Sequence, residues 1–346
     1  MPEISNLYSP TFNQFKRSTF NGNQGIQTNI STPIRTGLNF DTVQIGGENK
    51  TNNKNNTKNI LLGLGAATVA VVAGVLGHHA IQANKLNKAF AAIDTKFANL
   101  EQNLPEVQSK FQEIFRRKDL TLEQTKEMLG QYKQLERLRV DKKVSNQDYI
   151  RQVFDVAKKN YNLENGNIEL NFSPLKDSKA AGSWESFRNA VTLKENLQKE
   201  SAFEVIHHEL RHAKQTQEIA ECLSEKDLEN SIKIDGFKKV KDILNFTTIE
   251  QFEKEVWTPE FANSIMNDSL RLKRVGVIKT PEDIDFAKKC RDADINHVDL
   301  DEDMAGYWNS FKEIDARKAE LAINELFGLN KSTADFYKEM DAKYLK

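Results

Sequence analysis

From Ile60 to Gly77 the chain runs eighteen residues without a charged side chain, ILLGLGAATVAVVAGVLG, between two polar neighbours. At about 1.5 Å per residue, a helix of that length just crosses the hydrocarbon of a bilayer, so the run predicts one transmembrane helix over 60–77. Ala66, Ala70 and Gly74 fall four apart, the spacing that lets two membrane helices approach closely. A Gly/Ala-rich helix buried in a globular core is the other reading of the same run. Next, Leu86, Phe90, Ile93, Phe97, Leu100 and Leu104 alternate steps of four and three, which predicts an amphipathic helical stalk over 78–118, ended or kinked by Pro105. Fewer than three heptads suit equally a stalk that pairs two copies into a homodimer and a helix packed on the following domain.

From residue 119 onward the pattern is that of a globular domain, 119–346, mostly helical. Thr121-Leu122-Glu123-Gln124 is a capping box and Ser145-Asn146-Gln147-Asp148 a looser variant of one. Thr280-Pro281 places a cap before a proline at the first helical position. Alternation in Asn167–Phe172 and the run Ala190–Leu193 predict two strands, and 224–295 is helical throughout. The fold class is therefore α+β, mostly helical.

Composition adds a tail. Residues 1–59 hold twelve asparagines, and Lys50–Asn59 has no apolar residue, so 1–59 is expected to be disordered. The asparagine richness fits a bacterial source. The formal net charge of −1 excludes a bulk electrostatic partner such as nucleic acid. A mean hydropathy of −0.62 excludes a protein of many membrane spans, though not the single-pass membrane protein expected here. Lys50, Lys54 and Lys58 balance Lys85, Lys88 and Lys96 across the span, so orientation is not set. Two cysteines, Cys222 and Cys290, make no disulfide framework.

Sharp chemistry is concentrated in SAFEVIHHELRHAKQTQEIA, residues 201–220. Ser201 and Glu204 form a capping box that predicts a helix from Ala202, with Ile206, Leu210 and Ala213 on one apolar face. Within it His208-Glu209-Leu210-Arg211-His212 is an H-E-x-x-H motif. The i, i+4 spacing stacks two imidazoles one turn apart, close enough to share one Zn2+, and sets Glu209 beside them, where it can take a proton from metal-activated water. His207 points about 100° away and is expected to pack rather than ligate.

These residues resemble the zincin metallopeptidases. The resemblance covers roughly 165–220 and 305–325, and it implies a small antiparallel sheet whose edge strand precedes the metal helix and binds substrate backbone by β-addition. In this chain Gly182-Ser183-Trp184 leading into Asn189–Leu193 takes that place. It also implies a third ligand on a later helix. No H-x-x-G-x-x-H extension follows His212, so the gluzincin pattern is the nearer one, and Glu313-Ile314-Asp315-Ala316 looks like its ligand element, with Glu313 as the ligand and Ala316 allowing close helix approach. The family's acidic residue four after the ligand is replaced by Arg317, leaving Asp315, Glu320 or a backbone carbonyl to orient a zinc histidine.

Asp315, His297 and Asp299 are the rival third ligands. Glu218 lies about 240° around the helix from His212 and faces away. Cys222, in Glu221-Cys222-Leu223-Ser224, lacks the glycine and the position of the deformylase motif it is similar to. Tyr307, Arg317 and His297 are candidate donors to an oxyanion. The expectation is a membrane-anchored zinc peptidase acting on a peptide or protein substrate with Glu209 as general base. A tethered interaction protein with a silent zincin-like domain, and a delivered toxin or effector protease, are the competing readings.

Overall fold

The computed structural model describes residues 83–173, 180–241, 244–296, 303–328 and 331–345, all within one compact unit. The tail 1–59 and the apolar stretch 60–77 lie outside the described residues, among which no helix is long and apolar enough to cross a membrane.

Helix α1 (83–102) stops at Asn103, and α2 (Leu104–Phe115) takes Pro105 in its first turn, where a missing N–H leaves no helical bond unmade. Of the heptad stripe, Ile93 and Phe97 are buried, and Phe90, Leu100 and Leu104 pack against the same core. Phe97 stacks on Phe327, more than two hundred residues later, with ring centroids 5.6 Å apart. Of the two arrangements open from the sequence this is the packed one, and 83–115 shares a single core with the globular domain. Helix α3 (Leu122–Val140) begins at the Thr121–Gln124 capping box, and α4 (Asn146–Asn160) at Ser145, whose hydroxyl accepts from the Asp148 N–H.

Three strands come next: β1 (Glu169–Ser173), β2 (Gly182–Glu185) and β3 (Ala190–Lys194). Their order is β1-β3-β2, with β1 parallel and β2 antiparallel to β3. The sheet is thus mixed rather than antiparallel, and 189–193 is its centre rather than its edge. Position explains the sequence: Ala190, Val191, Thr192 and Leu193 are all buried, as a strand covered on both faces requires. The antiparallel edge ahead of the H-E-x-x-H helix is β2.

Helix α5 (Lys199–Cys222) starts two residues before Ser201, with Gln198 at its N-cap. Ser201 and Glu204 therefore lie inside the helix and form no capping box; Glu204 instead accepts from Thr333 Oγ1 at 2.7 Å. Nor is α5 amphipathic in the ordinary sense, because almost every residue from Ala202 to Ala220 is buried. Ile206, Leu210 and Ala213 enter one apolar cluster with α1–α4 and the sheet. Ile219 and Ala220 enter a second, built with Leu228 and Ile232 of α6 (Glu225–Val240), Phe252 of α7 (Ile249–Glu255), Ile265 of α8 (Pro259–Arg271), and Phe286 and Cys290 of α9 (Pro281–Ile295). The chain closes with α10 (Met304–Asn309), α11 (Phe311–Phe327) and α12 (Lys331–Tyr344). Helix α11 packs along α5, and its Ala316 is fully buried.

The polar side chains of α5 are paired rather than solvated. Glu218 meets Lys214 and Lys279, and Glu221 accepts from the Arg274 guanidinium at 2.8 and 2.9 Å and from Lys279. Burial would raise the Glu221 carboxyl, but these hydrogen bonds outweigh it and bring its pKa down to about 2 from 4.5. A carboxyl depressed on folding adds stability that is complete above pH 4.5 and disappears as the pH falls toward 2. Glu221→Gln is expected to lower stability at neutral pH by a contribution on the order of 3 kcal/mol and to flatten the acid limb of a stability-versus-pH curve, measured by urea unfolding.

Candidate metal centre

His208 and His212 project from the middle of α5, and Glu313 from the first turn of α11, where the two helices pack together. Their ligating atoms converge. His212 Nε2 lies 3.2 Å from His208 Nε2 and 3.1 Å from Glu313 Oε1, and His208 Nε2 lies 3.3 Å from Glu313 Oε2. The two Glu313 oxygens thus face one histidine each, and one ligand atom from each of the three residues lies within 4.8 Å of the others, against about 3.3 Å between the donors of a tetrahedral zinc with bonds of about 2.0–2.1 Å. Among the described residues this is the one group of three His, Cys, Asp or Glu side chains so placed, and it could hold a metal ion.

The electrostatics fit the same occupant. Burial alone would keep the His208 ring neutral, but hydrogen bonds and charge from Glu313 and Glu320 outweigh it and lift its pKa well above the usual histidine value. Burial would likewise raise the Glu313 carboxyl, yet His212 and His208 hold it well below the usual carboxylate range. The pocket draws positive charge, and a divalent cation can supply what protons otherwise supply.

Each histidine is held from behind. His208 Nδ1 is 2.9 Å from Glu320 Oε2, and the Tyr337 hydroxyl of α12 donates to that same oxygen at 2.6 Å. Glu320, two turns after Glu313 on α11, is thus the acid that meets His208, where position 317, one turn after Glu313, holds an arginine. His212 Nδ1 is 2.9 Å from Gln215 Oε1. The sequence reading misses both Gln215 and Tyr337. Gln215 is detectable in principle from its place three residues after His212 on the same helix face, whereas nothing local marks Tyr337.

Glu209 is buried beside the cluster, and that burial raises its carboxyl above the usual carboxylate value. Strand β2 runs against it. A Cβ built on Gly182 would come within 2.8 Å of Val205 Cγ1, 2.9 Å of Leu193 Cδ2 and 3.2 Å of Glu209 Cγ, so only glycine lets the edge strand pass so near. Gly182→Ala is expected to cost about 1–3 kcal/mol in denaturant unfolding, because β2 must move off α5.

Of the oxyanion-donor candidates, Tyr307 reaches the site. Burial raises its phenol, and the Glu313 carboxylate to which it hydrogen-bonds raises it further, so it remains a proton donor. Arg317 stacks 3.8 Å over the Trp308 ring and donates Nη2 to its carbonyl at 2.6 Å, while its buried Nη1 makes no hydrogen bond among the described residues and the Glu313 carboxylate acts on its charge. His297 and Asp299 lie outside the described residues. Asp315 is not a ligand: it accepts both arms of Arg211, Nε at 2.7 Å and Nη2 at 2.8 Å. Cys222 and Glu218 are likewise absent from the cluster. His207 sits fully buried among Phe115, Tyr132, Tyr161 and Phe203, and desolvation brings its pKa to about 3, so it packs as a neutral ring. Arg211 and Asp315 also line a cleft of about 1300 Å³ with Arg116, Lys279 and Phe286, to which His208, His212, Glu313 and Glu209 contribute nothing.

Comparison of the chain with protein-family models, with curated proteins and with solved structures gives no match, so the convergence of His208, His212 and Glu313 beside Glu209 is what any functional reading rests on.

Proposed function

We propose that the protein is a zinc-dependent peptidase of the gluzincin kind, acting on a peptide or protein substrate. The observation that carries the reading is the convergence of His208 Nε2, His212 Nε2 and the two Glu313 carboxylate oxygens, at 3.1–3.3 Å from one another across the three residues, next to the buried carboxylate of Glu209. Two neutral imidazoles and one carboxylate favour zinc over harder cations, and three protein ligands leave one position open, as catalytic sites do. When bound, zinc supplies Lewis acidity, lowering the pKa of water and polarising a carbonyl.

The chain's own residues do the rest. Glu209, its carboxyl raised by burial, takes the proton of the attacking water and holds it. The hydroxide attacks the scissile carbonyl carbon, and the electron pair of the C=O bond moves onto oxygen. Tyr307, still protonated, turns its one O–H from the Glu313 carboxylate to that developing oxyanion. Collapse of the tetrahedral centre breaks the C–N bond as Glu209 returns its proton to the leaving amine. An extended substrate runs along the free edge of β2, the edge at which the Trp184 carbonyl now accepts from Lys239 Nζ, and Gly182 brings its backbone in beside Glu209. The test is hydrolysis of a peptide library by the zinc-loaded chain: cleavage that disappears on chelation and returns with zinc supports the proposal, and no cleavage by a chain that binds zinc contradicts it.

A further inference from the structure

We infer that Gln215 is a positioning residue for the metal: it fixes the tautomer and direction of His212, and it is itself fixed by an ion pair between Arg211 and Asp315. The inference rests on the metal reading above and extends it to residues outside the ligand set.

Hydrogen-bond accounting leaves Gln215 one orientation. Its Nε2 donates to Asp315 Oδ2 at 2.8 Å and to the Lys312 carbonyl at 3.0 Å, and both of those oxygens can only accept. The two amide protons are therefore used, and Oε1 must be the atom that meets His212 Nδ1 at 2.9 Å. An amide oxygen cannot donate, so Nδ1 carries the proton that Gln215 accepts, and Nε2 is the nitrogen that faces His208 and Glu313. A flipped amide would set its oxygen against the Asp315 carboxylate and the Lys312 carbonyl.

Asp315 holds this orientation because it cannot move. Arg211 grips it through two parallel bonds, 2.7 and 2.8 Å, and spends its remaining arm on the Ile114 and Glu113 carbonyls at 2.6 and 3.2 Å, in the last turn of α2. Gln215 is fully buried, which keeps water from competing for its amide. A chain of contacts thus runs from α2 through Arg211, Asp315 and Gln215 to His212. It also sets the register of the two ligand helices, since Arg211 precedes one ligand by one residue and Asp315 follows another by two. The two histidines are held differently: His208 by a carboxylate, His212 by a neutral amide.

The experiment compares the full-length wild type with Gln215→Met and Gln215→Leu, measuring the zinc Kd by chelator competition, the melting temperature of the metal-free chains, and the visible spectrum of the Co2+-loaded forms. The expected result is a zinc Kd raised about 10–100-fold in both variants with a shifted Co2+ spectrum, while the metal-free melting temperature stays close to wild type. Three results would overturn the inference. Wild-type affinity in both variants would show that Gln215 does not position His212. Loss of affinity only in step with loss of metal-free stability, or failure of both variants to fold, would assign Gln215 a packing role. A wild-type chain that binds no zinc would end the metal reading itself, and that outcome is distinct from the other two.

Discussion

Glu209→Gln is expected to lower peptide hydrolysis by about 10²–10⁴-fold while leaving metal content at the wild-type level. The amide is nearly isosteric with the carboxyl, so the packing of Glu209 between α5 and Gly182 of β2 is preserved. No ligand is touched, because Glu209 lies beside the cluster and not in it. What is lost is the capacity to accept a proton from water and to return it to the amine. The measurement is kcat with a cleaved library peptide, alongside zinc by atomic absorption. Undiminished kcat in this variant would end the proposed mechanism, and loss of zinc together with activity would give Glu209 a place in the metal site instead.

The second large effect is on metal affinity. Glu313→Ala should raise the zinc Kd by more than the roughly 100-fold ceiling typical of outer residues such as Gln215, since it removes a ligand and the anion that draws charge into the site. Glu313 is also the hydrogen-bond partner of Tyr307, so a residual metal would be held without its donor in place. The chain should still fold. His208 keeps Glu320, His212 keeps Gln215, and the Arg211–Asp315 pair continues to dock α11 on α5. Isothermal titration of zinc into wild type and variant, with circular dichroism of both, separates a lost ligand from a lost fold. An affinity equal to that of wild type would move the third ligand away from Glu313.

How much of this is legible in the chain depends on the range of each interaction. The H-E-x-x-H pair is local: its meaning comes from 3.6 residues per turn, and the helix that carries it sets both imidazoles on one side. The caps at Thr121, Ser145 and Thr280 are local as well and sit where the sequence places them. Glu313 is not local, and only the likeness of Glu313–Ala316 to a known ligand element points to it. The misreadings share one cause. By pattern, helix α5 has one face to bury and another for water, because Lys214, Gln215, Gln217 and Glu218 are polar, yet all four are buried and paired, three of them with groups distant in sequence. Polarity in a sequence does not distinguish water from a buried partner. The sheet shows the same limit: the buried run Ala190–Leu193 identifies a strand but not its neighbours, and only the pairing shows it to be central with a parallel partner. Arg211–Asp315 and Tyr337–Glu320 are out of reach for the same reason.

The most direct test of the central claim is the zinc content of the purified full-length chain after exchange into metal-free buffer and reloading with one equivalent. The account predicts about one zinc per chain in the wild type and none retained in His208→Ala or Glu313→Ala, all three remaining folded. A well-folded wild-type chain that retains no zinc would contradict it, and the cluster of His208, His212 and Glu313 would then be a buried hydrogen-bonded network rather than a metal centre.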